Sequence, residues 1–206
     1  MERFFPKEKI VFTGNPVRAD IEQMNISREE SLDHFGLNGN HKVVLSVGGS
    51  LGARSINQMI MSHLHFFREN EIQLVWQTGR WMYEDAKRAV EQAGVGEWVK
   101  VHQFIAHMDM AYTAADIVIS RAGAIAISEL CLVGKPVVLI PSPNVAEDHQ
   151  TKNALALVNK NAALYVKDAE AKDLLIDKAI ETVNHPELLK NLSKNIAELA
   201  FTDSAN

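Results

Sequence analysis

Apolar positions along the chain fall into two alternating kinds of run. Short, nearly continuous runs rich in Val, Ile and Leu occupy residues 9–12, 42–47, 72–77, 99–104, 117–120, 136–140 and 163–166. Longer segments with apolar residues spaced as on one helix face lie between them, at 27–35, 53–70, 81–93, 108–114, 124–133, 148–160, 170–183 and 186–199. Buried strands separated by amphipathic helices predict βαβ units, hence an α/β fold with a Rossmann-like parallel sheet. Right-handed crossovers place helices on both of its faces. Gly134-Lys135-Pro136 marks a helix end followed by a strand start, with Gly as the stop and Pro unable to continue. There is no internal repeat, low-complexity tract or interdomain linker, so residues 1–206 read as a single domain. Residues 1–26 form its opening strand and loop, and 27–206 its core. The sequence stops at Phe201-Thr-Asp-Ser-Ala-Asn206, which has the look of a domain cut from a longer chain.

Composition narrows the chemistry. A hydrophobic content of 47% supports a full core, and the net charge of −5 argues against a general nucleic-acid binder. The single cysteine, Cys131, excludes a disulfide framework and fits a reducing, cytoplasmic setting. No apolar run approaches the roughly 18 residues that a membrane-spanning helix needs.

Ligands of such sheets bind beyond the carboxyl ends of the strands, and five segments fall there. Gly48-Gly49-Ser50-Leu51-Gly52 joins a strand to a helix, the geometry that seats a phosphate on a helix N-terminus. Its spacing is neither G-x-G-x-x-G nor G-x-x-x-x-G-K-[ST], so dinucleotide and ATP chemistry both lose ground. A plain tight turn has the same form. Gly14-Asn-Pro-Val-Arg18 ends in an arginine whose forked donors suit a diphosphate, or a surface arginine after a loop. Gln103 to Met108 is a strand-to-helix junction where the Ile105 backbone could meet the edge of a base. Ser120-Arg121-Ala122-Gly123 opens the helix that carries Glu129 among apolar residues. A buried carboxylate there must be paired. Ribose hydroxyls would satisfy it, and the alternatives are an exposed Glu or an ion pair with Arg121. Ala146 to Ala154 crowds Glu147, His149, Gln150 and Asn153 at a helix start, where amides suit sugar hydroxyls. Adjacent Glu147, Asp148 and His149 diverge on a helix, so no metal site is expected. His102, His107 and His149 lack any Ser/His/Asp pattern and read as junction or surface histidines.

Taken together and in this order, GNPVR, GGSLGAR, RAGAIAISEL, GKPVVLIPSP and AEDHQTKNA resemble the C-terminal, donor-binding half of the MurG family. That family transfers N-acetylglucosamine (GlcNAc) from UDP-GlcNAc to an undecaprenyl-pyrophosphoryl-muramoyl-peptide in peptidoglycan synthesis. The resemblance implies the C-terminal domain of a two-domain GT-B glycosyltransferase. It implies diphosphate contacts from Arg18 and Ser50, with Gly48, Gly49 and Gly52 forming the turn. It further implies uracil reading by Ile105, and phosphate and sugar contacts over Ala124, Ile125 and Ala126. Glu129 becomes the ribose ligand, Gln150 a GlcNAc contact, and Asn153 and His149 its neighbours. No cofactor or metal is implied. The general base, the lipid-linked acceptor site and peripheral attachment to the inner face of the bacterial membrane belong to the family's other half. This chain is thus expected to hold the donor without transferring it. The alternatives are a standalone nucleotide-sugar-binding subunit with a separate acceptor-binding partner, or a UDP-GlcNAc 2-epimerase-like enzyme.

Overall fold

A computed structural model describes residues 15, 17, 18, 21, 24–143, 145 and 148–200. The expected strand at 9–12, Gly14, Pro16, Glu147 and the terminal 201–206 lie outside the described residues.

Six strands form one parallel sheet: β1 Lys42–Val47, β2 Ile72–Gln77, β3 Val99–His102, β4 Ile117–Ser120, β5 Val137–Leu139 and β6 Leu164–Tyr165. Their spatial order is β3-β2-β1-β4-β5-β6. The helices are α1 Arg28–Phe35, α2 Arg54–Ser62, α3 Leu64–Glu69, α4 Tyr83–Ala93, α5 Met108–Ala114, α6 Ala124–Val133, α7 His149–Val158, α8 Ala171–Val183 and α9 Pro186–Ala197. Successive strand residues point to opposite faces, and two cores result. Val43, Leu45, Val118 and Leu139 pack under α1, α5, α6 and α7. Val44, Leu74, Trp76, Ile117 and Ile119 pack under α2, α3, α4 and α8. The strands read as continuous apolar runs because both faces are covered.

Most predicted boundaries hold to within one or two residues, and two differences have a visible physical cause. The single helix expected over 53–70 breaks at His63, whose backbone (φ −126°, ψ 23°) leaves the helical region. The Ser62 hydroxyl donates to the Met59 carbonyl at the break. Ile56, Met59, Ile60, Leu64 and Phe67 keep helical spacing through it and are all buried, so the apolar pattern carries no trace of the kink. The third strand, expected over 99–104, stops at His102. Beyond it Phe104 turns out to solvent while Ile105 turns in.

The strand ends are level. Val47 pairs with Gln77 and Ser120, Gln77 with His102, Ser120 with Leu139, and Leu139 with Tyr165. Every loop at this edge therefore starts from one row. The turn after β1 is locked against the end of β2. Asn57 Nδ2 donates to the Thr78 carbonyl (2.7 Å), and Trp76 Nε1 donates to Asn57 Oδ1 (2.9 Å). Gly52 has φ +80°, and a β-carbon on it would fall inside the contact shell of the Thr78 carbonyl oxygen. Only glycine meets both demands.

At the opposite edge, Lys135 donates to the Ala115 carbonyl (2.7 Å) beside Asp116, which Arg28 and Lys42 also approach (2.8 and 3.6 Å). Burial, and then the Arg28 charge, push the Lys135 amine down to about 8 against the opposing pull of Asp116.

Gly52→Ala is expected to cost about 3 kcal/mol, from left-handed strain plus the collision with Thr78. For a chain of this size that lowers the thermal midpoint by about 6–12 °C. Gly96→Ala, with ordinary φ and open space, is the control and leaves the midpoint unchanged. Lys135 generates a pH prediction. Its folded value lies below the unfolded 10.5, so the unfolded chain binds more protons between about pH 8 and 10.5. Stability from this group is fully present above 10.5 and is lost as pH falls through about 8. Denaturant midpoints across that window should rise with pH in the wild type, and Lys135→Met should remove that part of the slope.

Candidate functional site

Of the helices that begin at the level edge without a side chain capping them, α2 and α6 leave the neighbouring strands β1 and β4. The turn after β1 closes with Gly52 N–H donating to the Gly49 carbonyl (3.0 Å) and leads through Ala53 into α2. The turn after β4 leads through Gly123, extended at φ −69° and ψ 145°, into α6. The Ile127 amide is the first of α6 to find a helical acceptor, the Gly123 carbonyl. The preceding amides of Ala124, Ile125 and Ala126 are the orphan donors of a helix start. Each N-terminus carries about half a positive charge, and both open into one cleft of about 890 Å³.

Most residues singled out in the sequence line that cleft: Arg18, Gly48, Gly49, Ser50, Gly52, Ile105, Ile125, Ala126, Glu129 and Gln150. Glu129 is 9% exposed. Its Oε2 accepts from the Tyr112 hydroxyl (3.1 Å), and Arg18 Nε stands 3.7 Å from its Oε1. Burial, followed by the Glu129 charge, pushes the Tyr112 phenol well above its usual value, so it stays a donor. Arg121, the alternative partner for Glu129, lines the same cleft but is engaged by other groups. Its Nη1 pairs with Asp168 and donates to the carbonyls of Ile140 and Pro141, and its Nη2 donates to the Ser55 hydroxyl. That fork binds the ends of β4 and β5 to the start of α2, and it is why Arg121 cannot serve Glu129.

Three expected contacts are already partly engaged. The Ile105 amide donates to Gln77 Oε1 (2.8 Å), so of its two backbone groups the N–H is already engaged. Gln150, which lines the cleft, has its Oε1 engaged by the Ser142 amide (2.9 Å). Asn153 Nδ2 donates to the Ala122 carbonyl (3.1 Å). That bond braces the turn before α6, and neither Asn153 nor Ala124 is among the lining residues. His102, His107 and His149 also lie outside the lining. His102 packs edge-on to Phe35, and burial lowers its pKa. His107 precedes α5 against His34, and His149 is exposed at the start of α7. Cys131 is buried with its thiol pushed up to about 11, which removes it as a nucleophile. Among the described residues, no group of three His, Cys, Asp or Glu is placed to hold a metal ion, and no helix is long and apolar enough to cross a membrane.

Sequence reasoning missed Gln77, Tyr112 and the Arg121–Asp168–Ser55 cluster. Gln77 had a signal, a polar residue closing an apolar strand. Tyr112 and Asp168 had none, because each acts across the fold.

The family model for the glycosyltransferase family 28 C-terminal domain matches residues 43–206. A protein of Phocaeicola vulgatus is 61% identical over all of this chain and 55% of its own length. One of Bacteroides fragilis is 54% identical over all of this chain and 54% of its own. Both are named UDP-N-acetylglucosamine–N-acetylmuramyl-(pentapeptide) pyrophosphoryl-undecaprenol N-acetylglucosamine transferase. The chain spans about half the length of these curated relatives. Among solved structures, Acinetobacter baumannii MurG aligns at a TM-score of 0.71 and 26% identity, over 87% of this chain and 50% of that one. The C-terminal CMP-Kdo binding domain of WaaA from the same organism aligns at 0.63 and 13%, over 84% and 95%, a likeness of fold alone. With its parallel sheet, its two helix starts on one cleft and a family match over most of its length, the chain belongs to the glycosyltransferase family 28 C-terminal domain family.

Proposed function

We propose that this chain is the UDP-GlcNAc-binding half of an inverting glycosyltransferase that adds GlcNAc to a lipid-linked muramoyl-peptide in peptidoglycan synthesis. The observation that carries the reading is the convergence of the α2 and α6 N-termini on one cleft that also holds the buried Glu129 carboxylate. Backbone donors and dipoles there suit a diphosphate, and a fixed carboxylate suits a vicinal diol. The names of the relatives supply the nucleotide sugar and the acceptor.

Each residue then has a task. The diphosphate lies against the turn of Gly48 to Gly52, with the Ser50 hydroxyl and the first turn of α6 as donors. Arg18, 37% exposed and at 3.7 Å from Glu129, moves its fork onto the phosphates as Glu129 takes the ribose hydroxyls. The Ile105 carbonyl faces uracil, and the Gln150 amide nitrogen meets a GlcNAc hydroxyl. The acceptor hydroxyl forms a bond to the anomeric carbon as the bond to UDP breaks, with inversion. A base takes the hydroxyl proton, and the negative charge growing on UDP is met by Arg18, Ser50 and the helix termini without metal. The base, the acceptor site and peripheral attachment at the inner face of the membrane belong to the other half of such enzymes. These 206 residues alone should therefore show no transfer to a lipid acceptor, and measured turnover would sink that part of the reading.

Calorimetry checks the donor assignment. UDP and UDP-GlcNAc should bind and NADH should not, and the reverse pattern overturns the reading. Glu129→Ala should weaken UDP by roughly 1–3 kcal/mol, the cost of losing a charged hydrogen-bond partner. Inorganic pyrophosphate, which has no ribose, should bind at least as well to that variant, because Arg18 loses a competing carboxylate.

A further inference from the structure

Gln77 is the last residue of β2 and is 3% exposed. Its amide makes two bonds in opposite directions. Nε2 donates to the Gly49 carbonyl (3.1 Å), and Oε1 accepts from the Ile105 amide (2.8 Å). Both partners lie 28 residues away along the chain, one toward each terminus. Because both are backbone groups of fixed polarity, the orientation of the amide is settled: reversing it would set donor against donor and acceptor against acceptor.

Gln73, at the other end of the same strand, offers a comparison. It too makes two bonds of 2.8 Å, but both go to the amide and carbonyl of one residue, Asn38. That staple fixes one loop to one strand. Gln77 instead spans two loops, the glycine turn and the segment that carries Ile105. Gln77, Gly49 and Ile105 also line the same cleft, so the bridge forms part of its floor. An apolar side chain would extend the Leu74-Val75-Trp76 run but would orphan the buried Ile105 N–H and release the Gly49 carbonyl, so both loops depend on this one amide.

We infer that Gln77 is a positioning residue that couples the two ends of the donor nucleotide, holding the diphosphate turn in register with the base-reading loop. The inference rests on the donor-nucleotide reading above. Its two atoms have separable tasks. Oε1 fixes the base loop by occupying the Ile105 amide and leaving its carbonyl toward the base. Nε2 fixes the glycine turn by holding the Gly49 carbonyl, so that the neighbouring amides face the diphosphate. A ligand with both base and diphosphate uses the full bridge, and uridine uses only one end of it.

Gln77→Glu separates the two. An ionised carboxylate still accepts from Ile105 but cannot donate to Gly49, whereas its protonated form can do both. Burial raises the pKa of such a carboxyl. Affinities for UDP and uridine are measured by competition calorimetry at steps from about pH 5.5 to about pH 9, beside the wild type, because burial raises the titration of the carboxyl into that range. At the high end the ratio of UDP to uridine affinity should fall about tenfold, the worth of one hydrogen bond in a buried site, with uridine itself nearly unchanged. At the low end the ratio should return to the wild-type value at that pH. A purely structural role would weaken both ligands together and recover together, leaving the ratio unchanged at every pH, and that outcome overturns the inference. Should the Glu variant not fold, Gln77→Met removes both bonds at similar length. There the ratio should fall at every pH, and an unchanged ratio overturns the inference equally. If the wild type binds no UDP at all, it is the donor assignment that fails.

Discussion

The cleft exists because the strand order reverses between β1 and β4. From β1 the chain steps outward to β2 and β3, then crosses back to β4 and continues outward through β5 and β6. Right-handed crossovers send the helices of the first series over one face and those of the second over the other. The loops leaving β1 and β4 therefore diverge, although Val47 and Ser120 are direct neighbours in the sheet. A gap at the carboxyl edge follows from topology. What the residues must add is a backbone tight enough to bring both helix starts to its rim, and the small residues Gly48, Gly52, Ala122 and Gly123 do so. The locking of Gly52 against the Thr78 carbonyl shows how little room remains: the turn is set against the neighbouring strand end with no side chain between them.

The charges of the site divide into those that build it and those that face it. Arg121 meets four acceptors at once, the carbonyls of Ile140 and Pro141, Asp168 and Ser55, and its side chain is only 15% exposed. It is a structural fork, of the kind that a lysine could not replace. Arg18 is more exposed and sits at longer range from its carboxylate. In the proposed function the two groups part, the arginine turning to the phosphates and the carboxylate accepting from the ribose hydroxyls. The pair is thus a resting arrangement for two groups whose proposed ligand contacts differ.

Much of this was legible in the sequence. The strand and helix runs mapped onto the sheet because each face of a doubly covered strand must be apolar, and Val, Ile and Leu leave that signature directly. Glu129 stood out because a carboxylate in an apolar helix demands a partner. Which partner was not legible: Arg121 is near in sequence but committed to Asp168, whereas Tyr112 and Arg18 come from elements that only the fold brings close. The break at His63 was hidden for the opposite reason. The apolar period continues through it, so the pattern that reveals a helix also conceals its kink. Gln150 and Asn153 looked alike as amides at one helix start, yet one lines the cleft and the other braces the turn of Ala122. Spacing places residues on a helix face, but the loop opposite decides what each amide touches.

These details share one property: much of the donor chemistry resides in the backbone. In the proposed function, the amides at the starts of α2 and α6 and the carbonyl of Ile105 are the groups offered toward a ligand. Several of the nearby polar side chains, Gln77, Asn57, Asn153 and Arg121, spend their bonds holding that backbone in place. A site built this way needs no cluster of basic residues, so a net charge of −5 is compatible with the proposed diphosphate ligand. It also explains why the signal in the sequence is a spacing of glycines and alanines rather than a set of reactive side chains. Such a site is sensitive to substitutions that move the backbone by a fraction of an ångström and tolerant of many that alter only what projects from it. Its specificity is therefore a matter of how rigidly the two turns are held relative to one another.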